Sequence, residues 1–180
     1  KILRAYGQGL ETDAAMKAAI GVGLGDMQAD FDRRMEQKYG KMRAALKEPA
    51  EGVNPAKMSL DEVKAYGAAN PDNFIAQMAL GVQLRKVGDF DAAIAAFRKA
   101  AALVPQQGGD DSPHALIADI ELARRNNAGA IQSLQSLVDV DFNNIDAARR
   151  LSKLMADAGM TEPTRLQRVM QIHQRLGEAV

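Results

Sequence analysis

The chain has 180 residues, in which 23 Lys and Arg balance 23 Asp and Glu, 47% are hydrophobic and 4% are aromatic. The net charge of zero excludes a long-range field that would gather nucleic acid or an anionic membrane surface. The absence of Cys excludes disulfides, thiolate zinc sites and cysteine nucleophiles. No apolar run approaches the ~18 residues of a membrane span, so we expect no membrane insertion.

Residues 1–47 are predicted to form a small helical subdomain. The chain opens inside an apparent helix, and we therefore interpret it as a piece of a longer precursor. Thr12 or Asp13 is predicted to cap a second helix, at 14–20. A longer helix is predicted from Asp26 to about Leu46. Its apolar residues recur at helical spacing and are predicted to pack in a core, with a methionine-rich ligand surface as the alternative: Met27, Phe31, Met35, Met42 and Leu46.

Residues 48–58 contain two prolines and a glycine, and they predict a linker before a second domain at 59–180. The segment Ser59-Leu60-Asp61-Glu62 has the pattern of a capping box, in which the Ser hydroxyl and the Glu carboxylate each bind a backbone amide. A helix is therefore predicted to begin there and to end before Asn70-Pro71.

The clearest pattern lies in Phe74–Pro105. Two apolar helical patterns, at roughly 72–87 and 90–103, meet at Gly88-Asp89. Pro105 ends the second helix, since proline cannot continue the hydrogen-bond ladder. The pattern consists of small residues at fixed distances from large ones: Leu80, Gly81, Leu84, Phe90, Ala93, Phe97 and Ala100.

The same arrangement recurs further along the chain. A second pair of helices is predicted to start at Ser112-Pro113, a capping hydroxyl followed by proline, and to turn at Asn126-Asn127. Its small residues, Ala118 and Ala130, follow those of the first pair by 37 residues. A third pair begins near Asn144, but its second helix fits poorly. The predicted units are 74–107, 111–144 and a degenerate 145–178.

These residue sizes resemble the tetratricopeptide repeat (TPR), a helical hairpin of ~34 residues. The resemblance covers Phe74 to Gly159, and it departs from the family at Gln77, where a large apolar residue is usual. It implies an all-α fold in which about 2.5–3 helical hairpins form a right-handed superhelix.

The resemblance also implies a binding surface. The first helices of such repeats line a concave face that holds a peptide or a partner helix. Met78 and Val82 stand where the carboxylate-clamp variant has Lys and Asn, so that ligand is not predicted. The cluster of Arg149, Arg150 and Lys153 suits an acidic partner or a solvated helix face. The expected concave-face residues are Met78, Val82, Arg85, Asp119, Leu122, Arg149, Arg150 and Lys153.

Residues 1–46 are similar, in Leu3–Leu10, Ile20-Gly21 and Leu24–Phe31, to the last helices of a gluzincin-type metallopeptidase domain. Bacterial proteins of that kind often carry TPRs after the peptidase domain, whose zinc is bound through a His-Glu-x-x-His helix. The resemblance implies an upstream catalytic domain and a place outside the cytoplasm. Without it, a cytoplasmic bacterial protein is the simpler expectation.

No catalytic residue, metal ligand or cofactor is predicted within the sequence itself. Neither His114 nor His173 has a second ligand at metal-binding spacing in its own helix. Asp110, Asp111 and Ser112 suit a helix cap better than a hydrolytic triad. Three functions stay open: a module that binds a protein or peptide, the C-terminal part of a zinc metallopeptidase, and a spacer that self-associates as a homo-oligomer.

Overall fold

The computed structural model describes residues 1–159, and every regular element within them is helical, which confirms the all-α prediction. No helix in this range has the length and apolar character needed to cross a membrane. The predicted helix at 162–176 lies outside the described residues. The elements are α1 (Ile2–Gly7), α2 (Thr12–Ile20), α3 (Leu24–Ala45), the 3-10 helix η1 (Pro55–Lys57), α4 (Leu60–Ala69), α5 (Phe74–Lys86), α6 (Phe90–Leu103), α7 (Pro113–Ala123), α8 (Asn127–Val140) and α9 (Ile145–Asp157).

The chain divides after Arg43 into two compact units. In the first unit, α1 packs against α2, and the small residues Ala5 and Ala15 are buried. Neither Thr12 nor Asp13 caps α2, whose N-cap is Glu11 without a side-chain hydrogen bond. The carboxylate of Asp13 instead accepts a hydrogen bond from the amide of Leu24, 2.7 Å away, at the start of α3.

The predicted apolar stripe of α3 is largely exposed. Met27 and Phe31 are 43% and 56% exposed, and Leu46, just beyond the helix, is 43% exposed. The prediction that these side chains pack in a core is therefore wrong for Met27, Phe31 and Leu46, whereas Met35 and Met42 are half-buried. Helical periodicity reports that one face of a helix is apolar, but it does not report which surface, if any, covers that face.

In the second unit, each helix from α4 to α9 packs against the next one along the chain. The pairs α5/α6 and α7/α8 form helical hairpins, as predicted. One apolar cluster surrounds Phe97 and includes Ile117 and Ile120 of the following hairpin. Another surrounds Leu134 and includes Leu151 of α9. Burial is thus shared between neighbouring hairpins, as in repeat proteins.

Gly81 shows why the pattern of small and large residues holds. A Cβ atom at this position would lie 2.5 Å from Cε1 of Phe97, whose side chain is fully buried. Glycine is therefore required for the close approach of α5 and α6.

A residue with a left-handed backbone conformation follows each of the helices α5, α7 and α9. These residues are Gly88 (φ 81°), Arg125 (φ 59°) and Gly159 (φ 62°), at intervals of 37 and 34 residues.

Helix starts follow the capping signals in the sequence. The box of Ser59 and Glu62 is formed, which confirms the prediction, and Ser112 accepts a hydrogen bond from the amide of Ala115 at 3.3 Å. Helices α5, α7 and α9 each begin at a polar cap: Asn73, Ser112 and Asn144. Because Ser112 is buried and engaged in this way, its place in the sequence is explained by capping.

Candidate functional site

All the predicted binding residues lie on α5 and α7, which open the two hairpins, and on α9. On α5, Met78 and Val82 are half-buried, whereas Arg85 is exposed. On α7, Asp119 and Leu122 are half-buried. The remaining three, Arg149, Arg150 and Lys153, lie exposed on α9.

Met78 and Val82 line an open groove of about 320 Å³ between α5 and η1. Ile75 and Ala79 extend its apolar wall along α5. Arg85 and Leu122 were predicted to lie on the same binding face as Met78 and Val82, but they do not line this groove. The remaining lining residues are Asn54, Pro55, Ala56, Gln83 and Lys86.

Side-chain hydrogen bonds hold the opposite wall in place. Nε2 of Gln83 donates to the carbonyl oxygen of Met58 at 3.2 Å, and it lies 3.5 Å from that of Ala56. Nδ2 of Asn73 donates to the carbonyl oxygen of Lys47 at 2.7 Å. The segment predicted as a linker is therefore, in part, a wall packed against α5. Gly52 and the prolines correctly indicated a break in regular structure. The sequence contained no signal, however, that this segment packs against α5.

Two of the predicted charged residues, Asp119 and Arg150, form an ion pair with each other. Nη2 of Arg150 on α9 lies 2.6 Å from Oδ1 of Asp119 on α7, and their side chains are 42% and 37% exposed. Arg150 of the expected basic cluster is therefore paired with Asp119, a residue that was predicted to contact the same ligand. At this exposure the pair contributes about 0–1 kcal/mol to stability, so its main effect is on the charge offered to a partner.

A second cavity, of about 250 Å³, lies between α6, α7 and α8, and His114 is one of the residues that line it. Its polar lining includes Arg98, Gln132 and Ser136. Burial lowers the pKa of His114 below its ordinary value of 6.5. The cause is desolvation, which disfavours the charged form.

Within residues 1–159 no group of three or more His, Asp or Glu side chains is arranged to hold a metal ion. His173 lies outside the described residues. The geometry of the described residues assigns no reaction.

No protein-family model matches the chain, and no curated protein matches it either. The groove on α5 and the Asp119–Arg150 pair are therefore interpreted from their own geometry and chemistry.

Proposed function

We propose that the chain is a TPR-type module that binds an apolar peptide segment of a partner protein in the groove between η1 and α5. The groove carries this proposal, because it is open, preformed and lined mainly by apolar atoms. Binding sites of this kind combine apolar walls with a few polar groups that set orientation. The TPR assignment is supported by the hairpin packing, by the contact between Gly81 and Phe97, and by the recurring left-handed turns.

Three side chains on consecutive turns of α5 supply the affinity. Ile75, Met78 and Val82 are half-buried in the unbound chain, so each keeps apolar surface that a ligand would remove from water. That removal is worth about 25 cal/mol per Å² before the entropic cost of association. The unbranched side chain of Met78 adapts to different ligand shapes.

The polar groups of the groove orient the ligand. The amide nitrogen of Gln83 is already engaged by the carbonyl oxygen of Met58. Lys86 supplies a positive charge to the lining of the groove. Among the described residues, no acidic side chain lines the groove. A ligand that places a carboxylate beside Lys86 is therefore favoured over one that places an ammonium group there.

A peptide-display selection against the full chain tests the proposal. We expect enriched peptides with apolar residues, whose affinity falls by about tenfold or more in Val82→Glu, because the new carboxylate enters an apolar wall. Val87→Glu is the matched control, since Val87 is 58% exposed and lies outside the groove. The proposal fails if no peptide is enriched, or if Val82→Glu binds the selected peptides as tightly as Val87→Glu does.

A second candidate is the C-terminal part of a zinc metallopeptidase with its catalytic domain upstream. It is favoured by the apolar side chains that the first unit exposes, among them Leu3 at 85% and Ile20 at 53%. Exposed apolar surface of this kind is usual where a further part of a protein packs. A His-Glu-x-x-His motif is then expected in the coding sequence upstream, and its absence there would exclude this candidate.

A further inference from the structure

The cavity of about 250 Å³ between α6, α7 and α8 receives a polar side chain from each of the three helices. Arg98 comes from α6, His114 from the first turn of α7, and Ser133 from α8. Gln132 of α8 adds a carboxamide to the same lining. Four side chains that can donate hydrogen bonds therefore meet around one space.

The hydroxyl of Ser133 has no partner inside the protein. Ser133 is 8% exposed, and within residues 1–159 its side chain makes no hydrogen bond. By contrast, Oγ of Ser136, three residues further along α8, donates to the carbonyl oxygen of Gln132 at 3.2 Å. A buried hydroxyl without a partner is unfavourable. Because Ser133 lines the cavity, a ligand there can supply the missing hydrogen bond.

The charge of Arg98 is also unmatched. Its side chain forms no ion pair with any residue that the structure describes. The other arginines of the neighbouring helices are paired: Arg124 with Asp91 at 2.7 Å and Arg150 with Asp119 at 2.6 Å. No carboxylate among the described residues lines the cavity. The lining therefore favours a negatively charged ligand.

The number of positive charges indicates which anion fits. Burial lowers the pKa of His114 below 6.5, so the imidazole is neutral near pH 7 and Arg98 is the permanent charge of the lining. A phosphate monoester carries about −1.5 to −2 at pH 7 and would be only partly neutralised. A carboxylate carries a single charge, and a guanidinium can bind both of its oxygens at once.

The apolar part of the lining limits the rest of the ligand. Ala101 and Ile117 provide carbon surface in the same cavity. The volume is smaller than the roughly 300–1,000 Å³ of pockets for drug-sized molecules. A carboxylate with a short carbon chain meets both conditions.

We propose that the cavity between α6, α7 and α8 is a binding site for a small organic monocarboxylate. Arg98 and Ser133 bind the carboxylate oxygens, Gln132 supplies a further N–H donor, and the short carbon chain lies against Ile117. A ligand of so few atoms binds with a dissociation constant of about 0.1–10 mM. The site shares no lining residue with the groove on α5, so it does not depend on peptide binding there.

Nuclear magnetic resonance titration of the full ¹⁵N-labelled chain with sodium butyrate tests the site. We expect saturable shifts at the backbone amides of Gln132 and Ser133, beyond those that sodium chloride causes at the same ionic strength. Butyramide has nearly the same shape without the charge and should bind at least about tenfold more weakly. The proposal is overturned if shifts at these amides do not saturate, or if butyramide binds as tightly as butyrate. Inorganic phosphate that binds more tightly than butyrate would overturn the choice of a monocarboxylate.

Two substitutions on α6 test the role of the guanidinium. Arg98→Gln keeps a donor but removes the charge, and it should weaken butyrate binding by about tenfold or more. Lys99→Gln is the matched control, because it removes the same charge from the next residue, which is exposed and does not line the cavity. Equal affinities of these two variants for butyrate would contradict the proposal. Circular dichroism checks that both keep their helices, and the butyramide comparison on the unaltered chain decides the matter if one does not.

Discussion

Substitution of Gly81 by Ala tests whether the close approach of α5 and α6 holds the first hairpin together. The added methyl carbon would lie 2.5, 2.7 and 2.9 Å from three ring atoms of Phe97. Ordinary contact between carbons is about 3.5–4.0 Å, so the ring or a helix has to move by about 1 Å. The side chain of Phe97 is fully buried.

Two opposing contributions set the size of the expected change in the free energy of unfolding. Overpacking of a core of this kind costs about 1–3 kcal/mol. Replacement of Gly by Ala within a helix contributes about 1 kcal/mol in the other direction. Since the contact involves a rigid ring and not the end of a flexible chain, we place the overpacking cost in the upper part of its range. The expected net loss in free energy of unfolding is about 1–2 kcal/mol.

Urea unfolding followed by circular dichroism measures this loss. Gly67→Ala is the matched control on α4, because its nearest neighbour is the flexible end of Leu80 at 3.0 Å. We expect that control to be close to neutral. Phe97→Leu should relieve the clash, so the double variant with Gly81→Ala should lose less than the sum of the two single changes by about 0.5 kcal/mol or more. Equal stability of Gly81→Ala and the wild type, or strict additivity with Phe97→Leu, would refute the packing explanation.

Three further predictions concern single residues of the second unit. Arg125→Gly should raise the free energy of unfolding by about 1 kcal/mol, because Arg125 has a left-handed φ of 59°, which is unfavourable for every residue type except glycine. An unchanged urea midpoint would contradict this prediction. Gln77→Ala should lower the free energy of unfolding by about 2–3 kcal/mol, because the buried Nε2 of Gln77 donates to the carbonyl oxygens of Gly67 and Asn70; a smaller loss than Gly81→Ala would contradict this. The pKa of His114 is lowered in the folded state, so the unfolded state binds more protons and wild-type stability should fall as the pH drops through 6.5 and below. His114→Gln should remove that part of the pH dependence, and equal pH profiles for the two proteins would argue against it.

Local signals in the sequence predicted much of the second unit. The helix at Phe90–Leu103 was predicted with the bounds observed, and Ser59 and Ser112 were predicted as caps and serve as caps. These features depend on residues close together in the chain, such as a hydroxyl and an amide three positions apart. Gly81 and Phe97 were recognised by size, because close helix packing restricts residue volume at fixed spacing.

The candidate site was less predictable. Met78 and Val82 were expected on a binding face and do line a groove, but its other wall comes from a segment predicted as a linker. Asp119 and Arg150 were predicted as separate ligand contacts, and they bind each other across two helices. Both outcomes depend on contacts between residues distant in the chain, and the sequence pattern carries no signal for them.

The sequence by itself determined the helices, the caps at Ser59 and Ser112, the small residues between the helices and the absence of thiol chemistry. Each of these follows from local backbone preferences or from composition. Only the tertiary structure decided which apolar surfaces are buried. The stripe of α3 and the large residues of α6 have the same helical periodicity, yet Phe31 is 56% exposed whereas Phe97 is fully buried. The difference arises because burial requires a second surface, and the described chain provides one for α6 and none that covers Phe31.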